Sequence, residues 1–171
     1  MGLKGEVMEL LRQKDAEGLE RLVAVNPRAV RPLVGRLWDV DADMRRLAAQ
    51  ALGEAAARHP DLGRELLRRL LWALNDESAT NGKYALPAIG EIGRRSPRIA
   101  APFIGPLVSY MWDDNLRLGI LRALCRIAET SPEVLEGVRD RLLNVQSTED
   151  PEERVCLDRL LDFEKGGMNA C

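Results

Sequence analysis

Few side chains in this sequence have the types and spacing that do chemistry. His59 is the one imidazole of the chain, so any Ser–His or Cys–His pair would have to use it. Its place directly before Pro60 reads instead as the C-terminal cap of a helix. Cys125, Cys156 and Cys171 form no Cys-x-x-Cys pair. An odd number of cysteines without zinc-ligand spacing suits a reducing compartment, not a disulfide framework or a metal site. Cys125 itself falls on an apolar helical face and reads as a small core residue. Asp39-Val-Asp41-Ala-Asp43 clusters carboxylates but lacks the turn glycine and distal glutamate of an EF-hand loop. Gly53, Gly90 and Gly93 lie inside helical patterns with no strand before them, so they read as close-packing positions and not as a phosphate loop. A carboxylate mechanism at Asp76 or Glu77 would need burial to raise a pKa. No catalytic residue, cofactor or metal is assigned.

Binding residues are easier to nominate. Positions 75–84 read Asn-Asp-Glu-Ser-Ala-Thr-Asn-Gly-Lys-Tyr, a polar, glycine-containing stretch with either a plain solvated loop or a ligand site as its meaning. We take Asn75, Asp76, Glu77, Ser78, Asn81, Lys83 and Tyr84 as candidate binding residues, with Trp112 and Asp113 beside them. The same rim of the molecule is expected to collect Asp39, Asp41, Asp43, Asp114, Glu149, Asp150, Glu152 and Glu153, together with Trp38, Trp72 and Tyr110. Acids next to aromatic plates suit a basic peptide or another cationic group. The alternative is structural, with the acids favouring helix N-termini and the tryptophans plugging helix ends. The opposite rim gathers Arg28, Arg58, Arg64, Arg94, Arg95 and Arg98.

These residues need a frame. The chain has 171 residues, 25 Lys+Arg against 27 Asp+Glu, 46% hydrophobic and 4% aromatic residues. That length supports one self-sufficient domain. The near-balanced charge and a pI of about 5.6 argue against disorder and against the usual footprint of a nucleic-acid-binding domain. No apolar run approaches the roughly 20 residues that span a bilayer. The opening MGLKGEVMELLRQKD has no apolar stretch of the secretory kind, so a cytoplasmic location is expected.

The frame is a repeat. Pro27, Pro60, Pro97 and Pro132 are spaced by 33, 37 and 35 residues, and a leucine follows each after ten (Leu37, Leu70, Leu107, Leu142). Asn26, His59, Ser96 and Ser131 precede the prolines. Asn and Ser are good N-caps and proline fits a first helical position, so each repeat opens with a helix A. Pro32 and Pro102 recur inside it and predict a shared kink. A second amphipathic segment, helix B, follows at 44–56, 84–93, 116–128 and 154–163, where apolar residues recur at helical spacing. Ahead of Pro27, segments 5–13 and 16–25 read as a further pair, with Asp15 capping the second. Strand content is expected to be near zero.

Asp39, Met44-Arg45 and the run Leu47-Ala48-Ala49-Gln50-Ala51-Leu52-Gly53-Glu54 together resemble the HEAT-repeat pattern. More narrowly, they are similar to the short HEAT-like repeats of the phycobilisome-lyase type. Repeat 3 matches through Asp113/Asp114 and Leu116-Arg117, repeat 4 only through Asp150 and Arg154. Repeat 2 departs, with Gly82 where the arginine should stand and a turn four residues longer. The resemblance implies an all-α solenoid of four to five HEAT-like hairpins. It would form a single domain over 1–163, with a cap at 1–25, repeats at about 26–59, 60–96, 97–131 and 132–163, and a frayed tail at 164–171.

In that solenoid Asp39 and Asp113 would cap helix B, while Asp39, Arg45, Asp114 and Arg117 would form a ladder between repeats. The function expected is a non-enzymatic scaffold binding a protein or peptide of basic character, through the concave helix-B face and the acidic, aromatic edge. The alternatives are a nucleic-acid-binding or DNA-glycosylase-like protein, or a lyase- or chaperone-type accessory subunit. For nucleic acid, Arg46, Arg58, Lys83, Arg94, Arg122 and Arg126 would line the B face, but the interleaved Glu54 and Glu91 would repel phosphate.

Overall fold

A computed structural model of the chain describes residues 2–75, 82–145 and 148–168. Among the described residues it contains helices and turns and no strand. The helices are α1 (Leu3–Arg12), α2 (Ala16–Val25), α3 (Val30–Arg36), α4 (Ala42–Arg58), α5 (Pro60–Leu74), α6 (Leu86–Arg95), α7 (Pro97–Val108), α8 (Asp114–Ala128), α9 (Arg139–Asn144) and α10 (Pro151–Met168). Short 3₁₀ segments lie at Pro27–Ala29, Gly82–Ala85 and Pro132–Val138.

The apolar spacing dictates two layers. Helices α2, α4, α6, α8 and α10 pack one on the next as an inner row. The outer row comprises α1, α3, α5, α7 and the Pro132–Val138 segment with α9, so five hairpins stack in sequence. The core runs continuously between the rows, through Leu19, Leu33, Leu52, Leu66, Ile92, Leu107, Leu124 and Leu142. Each hairpin buries its apolar stripe against its neighbours, which is how a repeat stack acquires stability that no single unit has.

Local chemistry sets the ends. Asp15 caps α2 by accepting the Gly18 amide at 2.8 Å, and Asn26 accepts the Arg28 amide at 3.2 Å. His59 is the C-terminal cap of α4, and its Nε2 donates to Val23 O at 3.0 Å, satisfying a carbonyl in the last turn of α2. Ser96 and Ser131 stand at the expected N-caps but make no side-chain capping bond; there the helix start rests on the proline that follows. Helix α7 continues through Pro102 and Pro106. Both prolines face solvent, where water can take the carbonyls their rings leave unbonded. In repeat 1 the outer helix instead opens as 3₁₀ and turns α at Val30, two residues before Pro32. The last helix continues to Met168, beyond Phe163 where the repeat pattern ends.

The inner row is close-packed at glycines. A Cβ on Gly53 would lie 3.0 Å from the Glu91 backbone, and one on Gly90 would lie 3.2 Å from Ala123 Cα. These two positions set how near α4, α6 and α8 approach. Gly82 belongs to the same class, since its Cβ would stand 3.1 Å from Leu74 Cα and 3.2 Å from Ala73 O. Repeat 2 lacks the arginine of its neighbours because the end of α5 occupies that space.

Restoring the repeat residue by Gly82→Arg is therefore expected to destabilise the chain by about 1–3 kcal/mol, the usual range for overpacking. Urea unfolding followed by circular dichroism measures it, and an unchanged or higher midpoint would contradict this packing.

Candidate site: the inner-row groove and its charge ladder

The turn between the two helices of a repeat is held by an arginine that reaches back to main-chain carbonyls. Arg45 Nη1 donates to Asp39 O at 2.7 Å and Val40 O at 3.1 Å. Arg117 does the same to Met111 O at 2.8 Å and Trp112 O at 3.4 Å. Arg154 donates to Glu149 O at 3.0 Å. These carbonyls lie at the end of helix A and in the turn, where helical partners run out. Arg117 also meets Asp114 at 2.5 Å and, more distantly, Glu153 of the next repeat at 3.7 Å. Arg45 has no carboxylate partner among the described residues; its inter-repeat contact is the Tyr84 ring, whose centroid is 5.0 Å away.

The carboxylates of the turns are occupied in turn. Asp113 caps α8 through the Asn115 amide at 2.9 Å, and Asp150 caps α10 through the Glu152 amide at 2.8 Å. In repeat 1 the cap is Asp41, accepting the Asp43 amide at 2.8 Å. Asp39 does not cap α4. It accepts the Asp41 amide at 3.0 Å and pairs with Arg36 at 3.0 Å, bracing the turn two residues earlier than the resemblance implies.

A second ladder, invisible as a motif, runs across the inner row. Glu54 of α4 meets Arg58 at 2.7 Å and Arg95 of α6 at 2.6 Å, and Arg95 also pairs with Glu20 of α2. Glu91 of α6, only 8% exposed, meets Arg126 of α8 at 2.7 Å and Arg94 at 3.3 Å. Arg126 continues to Glu129 at 2.7 Å, and Arg159 of α10 reaches Glu129 at 3.3 Å. The ladder thus joins α2, α4, α6, α8 and α10. The hydrogen bond from Arg58 holds the Glu54 carboxyl below the usual range for a glutamate, with Arg95 adding to it against the opposing effect of burial. Burial, with the neighbouring Cys156 adding to it, pushes the Cys125 thiol up to about 12, which keeps it an inert core residue.

Over this ladder lies a groove of about 580 Å³ that crosses α4, the Gly82–Ala85 turn, α6 and α8. Its floor is made of small residues, Ala49, Gly90, Gly119 and Ala123. Arg45, Arg46, Lys83, Arg122 and Arg126 line it with Tyr84 and Glu91. Lys83 stands 5.2 Å from the Tyr84 centroid. Most of the cations already have acids: Arg46 meets Asp43 at 3.6 Å, and Arg122 meets Glu152 at 2.5 Å.

Of the candidate binding residues, the structure brings Lys83 and Tyr84 into this groove. Asn75 ends α5 as an exposed cap residue. Asp76, Glu77, Ser78 and Asn81 lie outside the described residues. Trp112 is 77% exposed and borders shallow depressions with Pro106, Arg141 and Val145 instead of the groove. Trp72, 78% exposed, shares an outer-row depression with Trp38, so neither exposed tryptophan plugs a helix end. Sequence reasoning missed Gln50, Pro87, Asn115 and Leu118 as groove residues. Only their place on the helix-B face signals them. Among the described residues no group of three His, Cys, Asp or Glu side chains stands where it would hold a metal ion, and no helix is long and apolar enough to cross a membrane.

The Glu54 ladder has a pH signature. A carboxyl held below its ordinary value of 4.5 adds stability that is complete above that value and fades as pH falls through the lowered one. Glu54→Gln leaves Arg95 without one of its acids and is expected to cost about 2 kcal/mol at pH 7, the scale of a hydrogen bond to a charged group. The loss of stability between pH 5 and 3 should also be shallower than in the parent. Chemical denaturation across that range measures both, and an identical acid limb in the two proteins would contradict the ladder.

No protein-family profile matches the chain, and no curated protein matches it by sequence. Solved structures do. A designed armadillo repeat protein in complex with the peptide (KR)4 superposes with a TM-score of 0.55 at 20% identity, over 92% of this chain and 80% of that one. An engineered protein gives 0.56 at 21% identity, over 96% and 81%. Computationally designed armadillo repeat proteins for modular peptide recognition give 0.55 at 22%, over 87% and 69%. At these identities the likeness is one of fold alone: the chain is an α-solenoid of stacked helical hairpins, similar in fold to those designed armadillo repeat proteins.

Proposed function

We propose that the chain is a non-enzymatic binding scaffold that seats a peptide segment of another protein in the inner-row groove. The observation that carries this is the groove itself, which draws its lining from three consecutive repeats, α4, α6 and α8. A segment lying across it would touch several rigid helices at once without ordering any of them, which lowers the cost of binding. The small floor residues admit a main chain closely, and Tyr84 supplies an aromatic face with cations beside it. The designed repeat proteins it superposes on are described by their peptide recognition, which supports the same use of this fold. Of the polar stretch at 75–84, Lys83 and Tyr84 belong to the proposed surface.

Phosphate binding along the B face finds less support. Arg46, Arg58, Arg94, Arg122 and Arg126 each have a carboxylate within 3.6 Å, so little charge is left to displace counterions. The edge acids favour a basic partner less than composition suggests, because Asp39, Asp41, Asp113 and Asp150 already serve as turn braces and caps.

Selection from a displayed random-peptide library tests the reading. Enriched peptides are expected to lose roughly tenfold or more in affinity when Gln50→Trp fills the groove, and to bind normally to Lys4→Trp on the exposed side of α1. Peptides indifferent to Gln50→Trp would place binding elsewhere and overturn the groove.

A further inference from the structure

Resting on the groove as a peptide seat, we infer that its occupant is acidic, with an aspartate or glutamate carboxylate seated between Arg45 and Lys83 beside Tyr84. The charge inventory of the lining leads there. Five cations, Arg45, Arg46, Lys83, Arg122 and Arg126, line the groove against the single carboxylate of Glu91. Three of the five are matched by acids: Arg46 by Asp43, Arg122 by Glu152, and Arg126 by Glu91 and Glu129. Arg45 and Lys83 have no carboxylate partner among the described residues. They are also the two that share one ring, at 5.0 and 5.2 Å from the Tyr84 centroid.

Two cations drawn to one aromatic ring attract it and repel each other. A carboxylate between them converts that repulsion into two charge-assisted hydrogen bonds. Arg45 is prepared for this role. Its Nη1 is fixed on Asp39 O and Val40 O, which orients the guanidinium while Nε and Nη2 remain to donate. Lys83 is exposed and follows Gly82, whose backbone is pressed against the end of α5, so its anchor is firm and its ammonium meets no carboxylate among the described residues. Next to this pair the floor of Ala49, Gly90, Gly119 and Ala123 leaves room for a peptide backbone. A nucleic acid fits less well, since two unmatched cations neutralise few phosphates and the rest of the strip is already paired. The (KR)4 peptide bound by the designed neighbour would meet like charge here.

The test uses labelled octapeptides (DE)4, (KR)4 and (GS)4 and a 12-nucleotide single strand, measured by fluorescence anisotropy on the full chain at low and physiological salt. The wild type is expected to prefer (DE)4, with affinity falling as salt rises. Lys83→Gln should weaken (DE)4 by about five- to tenfold, the effect of losing one charge-assisted bond at an exposed site, and Lys83→Arg should restore it. Circular dichroism confirms that the variants stay folded. Equal binding of (DE)4 to Lys83→Gln, preference for (KR)4 or (GS)4, or tighter binding of the oligonucleotide would overturn the acidic occupant. If a preferred basic or neutral peptide is lost in Gln50→Trp, the groove stands and only its charge preference falls. If whichever peptide binds ignores Gln50→Trp, the groove falls as well.

Discussion

The close approach of the inner helices is the constraint on which the rest depends. Helices carrying ordinary side chains at every position cannot bring their backbones as near as α4, α6 and α8 come. Here Gly53 faces the Glu91 main chain and Gly90 faces Ala123, with Cβ distances of 3.0 and 3.2 Å had they been alanines. The approach has two consequences. It places Glu54 and Glu91 within reach of arginines one helix away, Arg95 and Arg126, so each partly buried carboxylate is paired instead of stranded. It also leaves a row of small residues on the inner surface, which becomes the floor of the groove.

The turns fix the other dimension. In repeats 1, 3 and 4 an arginine ties helix B to the carbonyls just before it. In repeat 2 a glycine lets the chain lie directly on α5. That exchange removes one arginine from the groove rim and puts Lys83 and Tyr84 there, against the Arg45 of the preceding repeat. A departure from the repeat therefore creates the one place where cations gather around an aromatic ring without carboxylates of their own among the described residues.

Much of the architecture was legible in the sequence because its signals are local. Proline after a cap residue marks Pro60 and Pro97 as helix starts, and apolar spacing marks α4 and α8 as helices with one buried face. Asp15 and Asp113 cap as their positions imply. What local pattern does not contain is where a long side chain goes once two helices lie side by side. Arg94 and Arg126 look like a phosphate-binding strip when read along their helices, and only the neighbouring row turns them onto Glu91. Asp39 and Asp41 are both plausible caps two residues apart, and the choice depends on where α4 begins. Gly82 was legible as an anomaly, but its reason, contact with Leu74 and Ala73, is tertiary. The alternative in which the tryptophans plug helix ends fails for a similar cause: Trp72 and Trp112 are largely exposed.

The proposed binding surface spans three helices around the Arg45–Tyr84–Lys83 group. Hydrogen–deuterium exchange with and without saturating (DE)4 peptide reads this directly. Slower exchange should appear together in the first turns of α4 and α6 and in the first half of α8, while the outer row stays unchanged. Protection confined to the outer-row depression around Trp38 and Trp72, or to a single inner helix, would contradict it.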